Sequence, residues 1–127
     1  MKKNLVIASV LGSLAVILGA FGAHALKEKL SPDSLLSYET GVRYLMYHVI
    51  VVLFINTYIG FSEKTKNTLS SIFIAGMLLF SGSIFLITTG LVPAKIIWFI
   101  TPVGGLLLIV SWLWMANEFR KSKNNAI

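Results

Sequence analysis

The sequence predicts an all-α protein, a four-helix transmembrane bundle with a short amphipathic helical segment between helices one and two. Three observations carry this. Of 127 residues, 56% are hydrophobic and only 13% are charged. A soluble domain is about a quarter charged, because its surface must face water. Three stretches, 4–23, 69–93 and 96–117, hold no charged residue and are long enough to cross a bilayer core, which takes about 20 residues. A fourth, 44–61, is 18 residues long and interrupted by His48. Only one domain fits in this length. It is expected to be a single integral membrane domain over 1–127, with helices at about 4–25, 33–61, 69–91 and 96–118.

Helix one opens on Met1-Lys2-Lys3-Asn4, the start also of a signal peptide, and Ala23-His24-Ala25 has the form of a cleavage site. The apolar run is about 19 residues, longer than the 7–15 of a signal sequence, so an uncleaved first helix is expected. Ala8, Gly12, Ala15, Gly19 and Ala23 form a small-residue stripe, the last three spaced by four. In lipid, helices associate through close backbone approach, so Gly19 and Gly22 are read as packing positions. A gap lined by glycine for a substrate or lipid tail is the functional alternative.

Lys27-Glu28-Lys29-Leu30 reads as a solvated link. Ser31-Pro32-Asp33 then has the chemistry of a helix start: a capping hydroxyl, a proline at the first position and an acid near the positive end of the dipole. Leu35, Tyr38, Val42, Leu45 and Val49 follow an amphipathic three-four spacing, with a bend expected near Gly41. Asn56 is expected to bond across to another helix. Residues 62–67 read as a short polar loop, which makes helices two and three antiparallel neighbours.

Helix three contains Ser81-Gly82-Ser83, read as a close-approach segment. Helix four contains Thr101-Pro102 followed by Gly104 and Gly105. A proline inside a helix removes a donor and frees a carbonyl one turn back. A kink is therefore expected at Pro102, with Thr101 helping to satisfy the freed group. The functional alternative is an opened backbone lining a polar cavity. Trp112 and Trp114 read as anchors at the far boundary, before a basic tail at 118–123.

The net charge is +6. Basic residues sit at segment ends without interleaved aromatics, so lipid and orientation explain them and nucleic acid is not an expected partner. With both termini on one side, that side holds Lys2, Lys3, Lys64, Lys66, Arg120, Lys121 and Lys123; the other holds Lys27, Lys29, Arg43 and Lys95. The excess places both termini in the cytoplasm and the protein in the plasma (inner) membrane as a multi-pass chain. There is no cysteine, which removes disulfides, thiol catalysis and thiolate metal sites.

The densest polar run is 37–48. Glu39, Arg43 and Tyr47 are four apart on one helical face, and Tyr44 and His48 form a second such pair. With His24 on the same side of the membrane, His24, Glu39, Arg43, Tyr44, Tyr47 and His48 form the candidate polar cluster. Glu39 and Arg43 are expected to pair at the interface, since either charge alone at depth costs about 2.5–3.5 kcal/mol.

Three blocks, Gly19-Ala20-Phe21-Gly22-Ala23-His24-Ala25-Leu26, Tyr44-Leu45-Met46-Tyr47-His48, and Phe80-Ser81-Gly82-Ser83 with Ile100-Thr101-Pro102-Val103-Gly104-Gly105, resemble the domain-of-unknown-function 423 family, which includes the animal transmembrane protein 256. The likeness runs over nearly the whole chain. The chain departs after the Ser-Gly-Ser block, where it has Ile84-Phe85. The resemblance implies a four-helix integral membrane protein and carries no reaction, cofactor or catalytic residue.

The function expected is non-enzymatic: an accessory or assembly subunit of a larger membrane complex, or a lipid-binding module. The alternative is a small oligomeric transporter or channel, proton-linked through His24, Glu39 and His48. An intramembrane enzyme is a third class. Its metal form needs three or four convergent ligands, and the spacing of the histidines, Glu39 and Asp33 offers no such set. Its hydrolase form needs Ser81 or Ser83 beside a histidine of another helix. No metal, cofactor or catalytic residue is expected; the expected partners are the bilayer and a membrane complex or further copies of the chain.

Overall fold

The computed structural model describes residues 2–124, with the side chains of 123 and 124 outside that description; the Lys123 charge counted in the basic tail is therefore outside it too. The elements are α1 (Lys2–Phe21), a π-helical turn (Gly22–Leu26), α2 (Pro32–Thr57), α3 (Glu63–Thr88), a one-turn α4 (Ala94–Ile97) and α5 (Ile100–Asn124). Four of these helical runs, with the π turn counted into the first, are long and apolar enough to cross a membrane.

The small-residue stripe of α1 packs on α2. Ala8 and Ala15 are fully buried, and Cβ atoms added at Gly12 and Gly19 would press on Val49 and Val42. The face continues through Gly22, not Ala23, which is exposed. Buried positions thus alternate four and three apart, the 3.5-residue period that keeps one seam on a neighbouring helix. Strict spacing by four drifts off that seam. At Gly22 the missing side chain makes room for the ring of Tyr38, which a Cβ would meet at 2.6 Å. The Tyr38 hydroxyl donates to the Leu18 carbonyl at 2.6 Å, and its ring lies 5.2 Å from Phe85. One buried tyrosine therefore ties α1, α2 and α3 together at the end opposite the termini.

Ser31 caps α2 as its sequence suggests, accepting from the Ser34 amide at 3.2 Å, with Pro32 in the first turn. The amphipathic segment forms the opening turns of α2, which runs unbroken through Gly41. Ser81 supplies part of the reason: its hydroxyl donates to the Gly41 carbonyl at 2.7 Å, pinning this point against α3. The polar segment 62–67 is not a loop. Ser62 accepts from the Thr65 amide at 3.1 Å and caps α3, with Glu63 in the first turn, so α3 begins six residues before the apolar run. It ends at Gly90, whose φ of 74° suits a residue without a side chain.

The kink expected at Pro102 is absent. The helix breaks earlier, after α4, and Pro102 lies in the first turn of α5. First-turn amides have no intrahelical partner, so proline costs nothing there. Thr101 has another role than the one expected: its hydroxyl shares a hydrogen bond with Ser83, joining α5 to α3. Gly104 is where these two helices come closest, since a Cβ there would run into the Phe80 backbone. Gly105 makes only ordinary contact with the Phe80 ring, and Gly82 has open space around it, so Gly82 is not the close approach its sequence suggests.

Helix α3 is central. It packs along both α2 and α5; α1 lies mainly on α2 and touches α3 lightly. The bundle is therefore an open, antiparallel array. Two of its gaps are a groove between α2 and α5, floored by α3, and a cleft between α1 and α3.

Candidate functional site

The groove between α2 and α5 has a volume of about 750 Å³. One wall carries Tyr44, Tyr47, His48 and Val51 of α2, the other Gly105, Leu108, Ile109 and Trp112 of α5, with Phe80 of α3 beneath. It opens at the apolar surface, because Tyr44, Tyr47, Ile50, Ile109 and Trp112 are exposed while His48 is only 5% exposed.

His48 is held from both sides. Its Nδ1 lies 2.6 Å from the Tyr44 carbonyl one turn back, and its Nε2 lies 3.1 Å from the Trp112 indole nitrogen. A carbonyl only accepts and an indole N–H only donates. The ring therefore carries its proton on Nδ1, donates to Tyr44 and accepts from Trp112. The Trp112 bond, which joins α5 to α2 across the groove, and the Tyr44 bond within α2 together occupy both ring nitrogens. Aromatic neighbours complete the setting: Phe73 lies 5.8 Å and Trp112 6.1 Å from the imidazole, and Tyr44 stacks on Phe80 at 5.1 Å. The hydroxyls of Tyr44 and Tyr47 have no protein partner among the described residues. They are the polar groups left available at the groove.

Of the six cluster residues, the structure brings together Tyr44, Tyr47 and His48. His24, Glu39 and Arg43 are exposed, and no hydrogen bond or ion pair joins them to His48 among the described residues. The expected Glu39–Arg43 pair does not form either. Arg43 instead donates to the Thr40 hydroxyl at 3.1 Å. Exposure explains this: two long side chains gain little from pairing where water or headgroups compete. Among the described residues no three His, Asp or Glu side chains gather as a metal site.

The sequence did not mark Trp112 as a partner of His48. A tryptophan in the second half of an apolar run reads as a boundary anchor, and nothing local links residues 64 positions apart. Trp114 does reach a polar partner near the end of α5, Glu118, at 3.2 Å. A second polar centre lies at the end that holds the termini. Asn56 donates to Ser70 at 2.7 Å, and Asn4 donates to Asn56 at 3.4 Å and to Asn67 at 3.0 Å. Asn56 was legible as an amide at depth; Asn4 and Asn67 looked like ordinary boundary residues.

The family model described as "Protein of unknown function (DUF423)" matches residues 18–105. A UPF0382 membrane protein of Bacillus subtilis is 38% identical over 89% of this chain and 92% of its own length. One of Haemophilus influenzae is 34% identical over 97% and 98%, and one of Staphylococcus aureus 34% over 91% and 93%. No solved structure matches. Both the Tyr44–His48 wall and the Gly105 end of the groove fall inside the matched residues. The chain is a small integral membrane protein, and it belongs to the DUF423 family.

Proposed function

We propose that this protein is a non-enzymatic lipid-binding module of the inner membrane, with both termini cytoplasmic, that holds a membrane lipid in the α2–α5 groove and presents it to a larger assembly. The observation that carries the reading is the groove itself: about 750 Å³, apolar over most of its lining, open at the lipid-facing surface, with two free tyrosine hydroxyls at its wall. Ligand sites of this size are mostly apolar with a few placed polar groups. A lipid ester carbonyl or headgroup oxygen accepts from Tyr44 or Tyr47 while a chain lies along Ile109 and Leu108.

The chemistry available favours binding over catalysis. Both His48 nitrogens are spent, and Ser81 and Ser83 are engaged with Gly41 and Thr101, so neither serine lies against a free histidine base. The transporter reading draws on His24, Glu39 and His48, which no hydrogen-bonded path connects among the described residues.

The test is photolabelling with a bifunctional diazirine phospholipid in the protein's own membrane, followed by adduct mapping. Adducts should concentrate on 44–51 and 105–112. Labelling spread evenly over the exposed faces of α1 and α5 would contradict the proposal.

A further inference from the structure

The second gap differs in chemistry from the first. The cleft between α1 and α3, about 630 Å³, has a polar mouth of Lys3, Asn4, Asn67 and Ser71 and an apolar floor of Ile7, Ile74 and Leu78. The mouth lies at the end that holds the termini. That end is strongly basic: seven basic residues against Glu63 and Glu118, where the opposite end has four against Glu28, Asp33 and Glu39. Both carboxylates at the basic end are already engaged, Glu63 with Lys66 at 3.3 Å and Glu118 with Lys121 at 2.9 Å. Lys3 carries no ion pair among the described residues. Asn67 spends its oxygen on Asn4, and its amide N–H groups have no partner among the described residues. The exposed mouth is thus a cation and free amide donors, set over an apolar trough where α1 and α3 barely touch.

We infer that this cleft is a binding site for an anionic phospholipid of the leaflet at the termini, its phosphate held by Lys3 and Asn67 and one acyl chain lying on Ile7, Ile74 and Leu78. Charge selects the headgroup: with the local carboxylates neutralised, the Lys3 field is not cancelled within the protein. The trough selects a lipid over a free phosphate. A site of this kind anchors α1 to α3 where their own packing is thin, and it is independent of the α2–α5 groove.

The full chain is placed in nanodiscs of phosphatidylcholine containing phosphatidylglycerol, and the lipids retained after mild detergent release are counted by native mass spectrometry. Wild type should keep phosphatidylglycerol in preference to phosphatidylcholine. Lys3→Gln should lower that preference about fivefold, the worth of one lysine at an anionic surface. Asn67→Asp keeps the oxygen that Asn4 donates to, so the fold is preserved, and replaces the donors with a repelling charge; it should lower the preference at least as much. Lys64→Gln, at the same end but off the cleft, should leave it unchanged. Equal losses for Lys64→Gln and Lys3→Gln would reduce the effect to diffuse charge and overturn the inference, as would unchanged retention in Asn67→Asp.

Discussion

His48 and Trp112 show how a polar pair is made tolerable in an apolar setting. Each satisfies the other across the groove, and the Tyr44 carbonyl accepts from the Nδ1–H. Trp112→Phe keeps the ring and removes the donor, leaving Nε2 unpaired. It should destabilise the protein by about 1–2 kcal/mol, toward the upper range for interhelical hydrogen bonds in membranes, measured by denaturant unfolding in micelles. Glycines of similar appearance differ sharply. Gly104→Ala places a methyl against the Phe80 backbone and should cost about 1–3 kcal/mol by overpacking. Gly82→Ala meets nothing and should be neutral or stabilising by up to about 1 kcal/mol through helix propensity. The sequence does not distinguish them, because both sit among small residues; only the facing helix decides which is a contact. The same limit hid Trp112 and made Glu39 and Arg43 look like a pair.

At the scale of elements, local chemistry was the more legible. Ser31-Pro32-Asp33 starts α2 where its capping groups stand. Hydropathy misplaced the start of α3, since a polar first turn looks like a loop until Ser62 is recognised as its cap. Proline misled in the opposite direction. Helix rules treat Pro102 as an interior residue, but the break at 98–99 puts it in a first turn. Pro102→Ala should therefore change stability by less than about 0.5 kcal/mol, where an interior proline would be worth about 3 kcal/mol. Unfolding of this variant beside the wild type decides between the two placements. The α1 stripe was legible as a packing face. Gly22 was legible as one of its packing positions; that Ala23 falls off the face was not, because that depends on Tyr38, which comes from α2 and fills the space beside Gly22.

For the whole molecule, four apolar spans and short connections determine an antiparallel array, and the charge excess predicts its orientation. Single cysteines introduced at Lys2 and Ser122 should be protected from a membrane-impermeant maleimide in intact cells, and one at Lys29 should be labelled. The reverse pattern would invert the topology. What hydropathy does not reveal is that the array stays open, with α1 and α5 on different sides of α3 and a groove left between α2 and α5. The function proposed rests on that groove. Its most direct test is native mass spectrometry of the gently extracted protein beside Gly105→Leu. Position 105 lines the groove and has only ordinary contact with Phe80, so leucine there fills the space without forcing the helices apart. The result expected is one lipid fewer retained by Gly105→Leu than by the wild type, at unchanged thermal stability. A wild type without bound lipid, or the same number of lipids retained by Gly105→Leu, would contradict it.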